Sequence, residues 1–404
     1  MEKDNRKLKI YIFIFLLVSS ELLGIYRNLP IYPNLGVFDF IYAGLIVLTL
    51  VFFLSFKNFG FAKPNNTNQL WVVYSFTIIL LCNFVYSLLR HHQSVNQVLS
   101  VSYLYLVIPL VAIYLNRAIK SANDCELIEN MIIQFAVVIS LVSLVQVLLH
   151  AINIDILNVI EGERYGGARI AIGISVEICG ILMAYTKMRE YHTLVYRMEF
   201  ITILLCFIFA VRTRGLWIYI GASLIFFEIH KQKKHVNLYI VLLSLFTIGL
   251  IILDMVSEDA AMVALDSGDN HVIWRIRTMK WYFDQIIENP LFGLGLIKPI
   301  ENTTSYTLLM GDWGRAFRSD VGFLGFINTF GVIGLGWYTF FIIVYIKKIM
   351  VLMANSRTTY SGPYLSYIFL SIVGATTFSI MANNQLYMVP VMFVLLIKRA
   401  RFCS

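Results

Sequence analysis

Met131 to Leu149 reads MIIQFAVVISLVSLVQVLL, a stretch with no charged side chain. A bilayer core of about 30 Å needs about 20 helical residues to cross it, so this run is of spanning length. Comparable runs lie on either side of it. Hydropathy gives about twelve spans, near Ile10 to Tyr26, Gly36 to Phe56, Leu70 to Leu89, Val98 to Leu115, Met131 to Leu149, Ile170 to Tyr185, Phe200 to Val211, Gly215 to Phe227, Leu238 to Leu253, Val321 to Ile346, Tyr364 to Met381 and Leu386 to Ile397. Pro64, Pro290 and Pro363 fall between these runs, where helix breakers belong. The 404 residues are 59% hydrophobic and 14% charged, with a mean hydropathy of +0.75. Globular chains carry roughly 25% charge, so soluble, fibrous, disordered and disulfide-scaffold classes are excluded. The fold expected is an all-α polytopic membrane protein, one integral membrane domain over residues 1–404.

The excess of 32 basic over 24 acidic residues does not imply nucleic acid, because in a membrane protein the side on which each charge lies matters more than the sum. The five cysteines, Cys82, Cys125, Cys179, Cys206 and Cys403, form no CxxC pair, so neither a disulfide framework nor a zinc site is indicated. The start, MEKDNRKLKI, runs into apolar sequence without a small-residue cleavage site and reads as a retained first span. Counting Lys and Arg in alternate loops puts 20 of the 32 in one set, at the N-terminus, Lys57/Lys63, Arg117/Lys120, Lys187/Arg189/Arg197, Lys231/Lys233/Lys234, Lys347/Lys348/Arg357 and Lys398/Arg399/Arg401. That set is expected to be cytoplasmic, with both termini inside.

The opposite face carries Arg27, Arg90, Arg164, Arg169, Arg212, Arg214, Arg275, Arg277, Arg315 and Arg318 but only two lysines, Lys280 and Lys298. Lysine suffices for topology, whereas arginine offers a planar fork suited to phosphate oxygens. An outer face chosen for arginine suggests a phosphorylated ligand there. Ion pairs with the acids of the large outer loop, Asp254 to Asp320, are the other use for these side chains.

Several local constellations sharpen this reading. Arg212-Thr213-Arg214-Gly215 joins two short apolar runs, so its turn is expected below the outer surface, where guanidinium groups must line a wet cavity, meet anions or snorkel. Glu161 to Arg169 (EGERYGGAR) places Arg164, Tyr165 and Arg169 on a flexible glycine-bearing loop. Glu177 is a carboxylate within the apolar sixth span, either functional or paired with an arginine. In the large loop, Asn270 to Asn289 (NHVIWRIRTMKWYFDQIIEN) aligns Ile273, Ile276, Met279, Phe283 and Ile286 on one stripe, with Arg275, Thr278, Tyr282 and Gln285 turned away. An amphipathic helix is expected there, lying on the outer surface and roofing the cavity that the arginines surround. His271 is either an acid/base group or a surface residue. Asp320, beside Arg315 and Arg318, is either a general base or their ion-pair partner. Gly322, Gly325, Gly331, Gly334 and Gly336 in the following span are expected to let helices pack closely. HExxH, P-loop and GxSxG signatures are all lacking.

The order of these motifs resembles the O-antigen ligase and polymerase superfamily: Arg164 to Gly167 before a span, Thr213-Arg214-Gly215, then Arg-x-Arg, Trp, Asn-Pro-Leu-Phe-Gly-Leu-Gly, Gly-Phe-Leu and Phe-Gly-Val-Ile-Gly, over roughly Glu163 to Tyr338. The resemblance implies a GT-C-like membrane glycosyltransferase of the bacterial cytoplasmic membrane, without metal or cofactor, acting on polyprenyl-pyrophosphate-linked oligosaccharide and working with a chain-length regulator. Its arginines carry over onto Arg164, Arg214, Arg275 and Arg277, with Arg169, Arg212 and Arg318 behind them as substrate-binding residues beside Tyr165 and His271. Asp320, Glu177 or His271 would take the acceptor proton. The ligase branch has a His-Asn pair where this chain reads Ser319-Asp320, so the polymerase branch is the expectation. A ligase and an arginine-lined anion transporter are the alternatives.

Overall fold

A computed structural model describes residues 2–20, 44, 70–154, 160–164, 167–170, 172–231, 270–301, 303–314, 316–355, 358–374, 380–381 and 383–403. The expected spans Gly36 to Phe56 (Gly44 apart) and Leu238 to Leu253, and the loop from Asp254 to Asp269, lie outside these residues. The chain is helical throughout most of the rest. In order come α1 (Glu2–Ser19), α2 (Trp71–His91), α3 (Val95–Ala118), α4 (Ala122–His150), the strands β1 (Ile160–Arg164) and β2 (Gly167–Ile170), then α5 (Ile174–Tyr191), α6 (Leu194–Cys206) and α7 (Arg214–Lys231). The loop region holds α8 (Asn270–Glu288) and α9 (Thr304–Met310), and the chain ends with α10 (Phe323–Asn355), α11 (Thr358–Val373) and α12 (Met388–Phe402).

Among the described residues, five helices are long and apolar enough to cross a membrane: Trp71–His91, Val95–Ala118, Ala122–His150, Leu194–Val211 and Phe323–Ala354. Their outward faces are apolar too. On α2, Ile78, Leu81, Val85 and Leu89 are exposed, and on α4, Val138, Leu141, Val145 and Leu148. Helices apolar on every side need a nonpolar solvent around them, which makes this a helical membrane protein. The centre of the bundle is α12, buried continuously from Met388 to Ala400 and packed against α3, α4, α5, α10 and α11. Neighbouring helices cover it, so its 15 residues need not match a full bilayer.

Some expected boundaries change. α6 starts at Leu194 and continues through a π-helical turn, Phe207–Val211, because Arg197 and Glu199 near its start lower the hydropathy without interrupting the helix. Those 18 residues rise about 27 Å at 1.5 Å each, so the turn at Arg212 follows a helix of spanning length rather than a truncated one. Pro363 lies inside α11, near enough to the helix start that one backbone hydrogen bond is forfeited and the helix continues. The Glu161 to Arg169 stretch is no open loop: β1 and β2 pair antiparallel, with Arg164 opposite Gly167, Gly162 opposite Arg169 and an irregularity between Ile160 and Gly162. Only two residues separate the strands, the shortest hairpin connection.

Two tertiary devices hold the bundle. At one end, Arg399 of α12 grips Glu129 of α4 through Nη2 (2.6 Å) and Nε (3.0 Å), and the Tyr364 hydroxyl donates to the same carboxylate at 2.9 Å. Lys187 is buried nearby and bonded to Asn130. These cations, which loop counting reads as topological markers, sit inside the helix contacts. The second device is a break in α10. Gly331 adopts φ 62°, ψ −157°, and the backbone groups freed there are taken by the segment after α8: Leu294 N donates to Asn328 O (2.7 Å), Val332 N to Pro290 O (2.8 Å) and Ile333 N to Leu291 O (3.3 Å). Asn83 of α2 closes the joint, its Nδ2 donating to Phe292 O and Thr329 O, each at 3.1 Å. The glycine expected to ease helix packing instead interrupts the helix.

Two predictions follow from these devices. Gly331→Ala puts a side chain onto the Leu291 carbonyl at a left-handed backbone position and is expected to cost ~2 kcal/mol or more, lowering the thermal midpoint in detergent, whereas Gly336→Ala, with open space around it, should leave it unchanged or raised. Glu129→Leu or Arg399→Leu alone should cost about 3–5 kcal/mol by stranding a buried charge; the double variant should recover a large part of that in a thermal-unfolding cycle.

Candidate functional site

The break in α10 shapes the surroundings of Arg318. Leaving α9, the chain passes Trp313 and Ala316 and enters a short 3-10 turn, Arg318–Val321, that lies flat on α10. Gly325 permits this, since a Cβ there would collide with the Arg318 carbonyl. The guanidinium then points into the joint. Nε donates to Asn328 Oδ1 (2.8 Å) and Nη1 to Gly295 O (3.2 Å). Asn328 is itself oriented by Gln285 of α8, donating to its Oε1 at 3.0 Å, while Gln285 Nε2 donates to Leu308 O at 2.8 Å. This relay of amides fixes the guanidinium and leaves Nη2 buried with no hydrogen-bond partner.

Arg318 lines a cavity of 240 Å³ together with Tyr105, Tyr282, Thr329, Ser319 and a mostly apolar wall that includes Leu104, Phe317 and Phe326. Burial pushes its pKa below the ordinary guanidinium value. Arginine stays charged regardless, so the desolvation stands as an unmet demand for an anion. Arg318 forms no ion pair with Asp320; that carboxylate is exposed, with the Ser319 hydroxyl at 3.5 Å. The Tyr282 hydroxyl, pushed up by burial, donates to Leu309 O at 2.7 Å. A second cavity, at the Glu129–Arg399 end, measures 20 Å³, room for about one water.

α8 has the expected extent but a different packing. Its buried side is Thr278, Tyr282 and Gln285, while Phe283 is 53% and Ile287 63% exposed. The polar stripe packs inward because it serves main-chain carbonyls: Trp281 Nε1 and Gln285 Nε2 both donate to Leu308 O, and Tyr282 to Leu309 O. Arg275 and Arg277 are exposed on this helix. The Arg277 guanidinium stacks 4.1 Å from the Trp313 ring centroid, which holds it without occupying its in-plane N–H edges.

Four further candidate arginines, Arg164, Arg169, Arg212 and Arg214, lie on β1, on β2, in the turn after α6 and at the start of α7. Arg169 is half-buried on β2, and β2 packs against the π-helical turn that precedes Arg212. Arg212 is in the left-handed region at φ 50° and caps the turn, Nε donating to Phe209 O at 2.7 Å. Arg164 ends β1 and Arg214 begins α7. The side chains of Arg164, Arg214 and His271, together with Tyr165, lie outside the described residues. Glu177 is fully buried between neutral donors, Ser140 Oγ at 2.9 Å and Cys206 Sγ at 3.1 Å, with no arginine on it among the described contacts. Among the sequence candidates whose side chains are described, Arg318 alone joins a buried, unpartnered donor nitrogen to the lining of the 240 Å³ cavity.

Residues that sequence reasoning passed over are Tyr105, Asn328 and Thr329, and Gln285 was placed on the polar side of α8 without a role. Asn328 and Thr329 interrupt an apolar run at FINTF, and intramembrane polar pairs of that kind are the signal that could have found them. No protein-family model matches the chain, and no curated protein matches it.

The Glu177 environment carries its own prediction. Glu177→Gln should leave thermal stability within about 1 kcal/mol of the parent, because Ser140 and Cys206 can each donate to or accept from an amide, whereas Glu177→Leu should lower stability measurably in the same detergent assay.

Proposed function

We propose that this chain is a membrane glycosyltransferase that uses polyprenyl-pyrophosphate-linked oligosaccharide, and within that class a repeat-unit polymerase of the bacterial cytoplasmic membrane. The observation that carries the reading is Arg318: a guanidinium with two bonds to neutral acceptors, an unpartnered Nη2 and an adjoining cavity whose walls are largely apolar. Such a site suits an anion attached to a lipid. Its charge would be met by the arginine and its chain by the wall.

In this reading the growing glycan is the donor. A hydroxyl of the lipid-linked acceptor attacks the anomeric carbon, the carbon–oxygen bond to pyrophosphate breaks, and the lipid pyrophosphate leaves with the electron pair. Arg318 stabilises the charge developing on that leaving group, a fixed donor acting where charge grows. Arg275 and Arg277 on α8, with Arg164, Arg169, Arg212 and Arg214, supply further cationic surface for the glycan and its phosphates. Asp320, next to Ser319 on the cavity rim, accepts the acceptor's proton. About twelve spans with both termini inside would set this chemistry on the outer face, beside a chain-length regulator.

The broken α10 is the one feature that favours a transporter, since transporters use discontinuous helices to bind ions. Here the backbone groups around the break are taken by residues 290–294 and by Asn83, so they are not available to a solute, and the transferase reading is preferred. A ligase differs only in its acceptor.

The test is direct. Full-length protein in nanodiscs should bind undecaprenyl pyrophosphate, and Arg318→Gln should weaken that at least about tenfold, roughly 1.4 kcal/mol. Asn328→Asp should do the same, because the new carboxylate satisfies the guanidinium from within, although it gives up the bond to Gln285, so the thermal midpoint is measured beside the binding. In cells, deletion should leave surface glycan capped by one repeat unit. Full-length lipid-linked polymer in the deletion strain would move the assignment to the ligase, and unchanged binding in both variants would remove Arg318 from the site.

A further inference from the structure

α8 presents three sectors rather than two. Thr278, Tyr282 and Gln285 face α10 and α9. Lys280, Asp284 and Glu288 are exposed and charged. Between these sectors runs an apolar stripe on which Ile276 is half-buried and Phe283 and Ile287 are exposed, and Leu291 prolongs it at 63% exposure just beyond the helix end.

The position of Leu291 says what covers the stripe. Val332 N bonds Pro290 O on one side of it and Asn83 bonds Phe292 O on the other, so Leu291 sits between α10 and α2. Both are helices of spanning length, and their exposed side chains at this level are Val332 and Leu335 on α10 and Val85 and Leu89 on α2. The stripe on α8 is thus continuous with two surfaces that only hydrocarbon can solvate. A water-exposed loop helix would instead end its apolar surface before reaching them.

We infer that α8 is seated in the bilayer, its Phe283–Ile287–Leu291 edge in the acyl chains of the leaflet on the side of the large loop and its Lys280–Asp284–Glu288 edge at the headgroups. This is an interfacial helix whose protein-facing side is its polar one, the reverse of the usual surface helix. The inference does not rest on the glycan reading. It also sets the depth of the Arg318 cavity, because Tyr282 lines that cavity from the same helix.

Site-directed spin labelling of the full chain tests this. Cys82 is exposed and Cys403 half-exposed, while Cys125, Cys179 and Cys206 are buried, so a background with Cys82→Ser and Cys403→Ser leaves the label to the introduced site. Single variants Phe283→Cys, Ile287→Cys, Leu291→Cys and Asp284→Cys, with Val85→Cys as a spanning-helix reference, are reconstituted into phosphatidylethanolamine and phosphatidylglycerol vesicles. Collision with oxygen should exceed collision with a water-soluble nickel chelate several-fold at 283, 287 and 291, as at 85, and the ratio should invert at 284. Nickel accessibility at 283, 287 and 291 equal to that at 284 would put the stripe in water and overturn the inference. Protection from both reagents would overturn it equally, by showing a protein partner or a second copy on that edge.

Discussion

The exchange of backbone hydrogen bonds between the broken α10 and residues 290–294 is the constraint from which the rest of this end of the molecule follows. Unsatisfied amide and carbonyl groups cost several kcal/mol each in hydrocarbon, so a helix can be interrupted at Gly331 only where another stretch of backbone fits against the gap. The Pro-Leu-Phe-Gly-Leu segment does so because Gly293 and Gly331 lack the Cβ atoms that would hold the chains apart. Asn83 from α2 then ties a third element to the same place. Loss of either glycine removes the fit on which α2, α8 and α10 all depend.

The joint also fixes Arg318. Among the other arginines whose side chains are described, Arg90 and Arg275 are exposed, Arg212 caps a turn and Arg277 stacks on an aromatic ring. Arg318 is pinned by a carbonyl of the joint itself, Gly295 O, and by Asn328, whose own carbonyl accepts from Leu294. Two of its nitrogens are spent on orientation and the third is left buried without a partner. Holding a charge in a fixed direction before its partner arrives is what gives electrostatic stabilisation its strength, since no reorganisation is needed later. The amide relay through Gln285 extends that rigidity to α8 and α9, so the helix that borders the cavity also sets its cation.

At the other end, the Glu129–Arg399 pair has a different role. It closes the centre of the bundle by tying α12 to α4, with Tyr364 of α11 as a third anchor. A buried ion pair is weak evidence for net stability, but a misplaced α12 would leave both charges stranded. The two ends of the molecule thus use buried cations differently: Arg399 is paired with a carboxylate, and Arg318 keeps Nη2 without a partner beside a cavity.

The class of protein was legible in the amino-acid sequence because hydropathy over a spanning length is a local property: runs such as Met131 to Leu149 state their solvent without reference to anything distant. The extent of α8 was legible for the same reason, from its periodicity and from Pro290 after its end. Which face of α8 turns inward was not. Periodicity assigns the apolar stripe to the core by default, yet the groups that compete for Tyr282 and Gln285 are carbonyls at Leu308 and Leu309, more than twenty residues away in the chain, and the apolar stripe has lipid as an alternative. Likewise ten arginines could be assigned to one set of alternate loops in the sequence, but counting cannot rank them. Tertiary structure separated Arg318 from the others, because burial, the Asn328 and Gly295 acceptors and the open cavity come from α3, α8, α10 and the loop between them, and only folding brings those elements together.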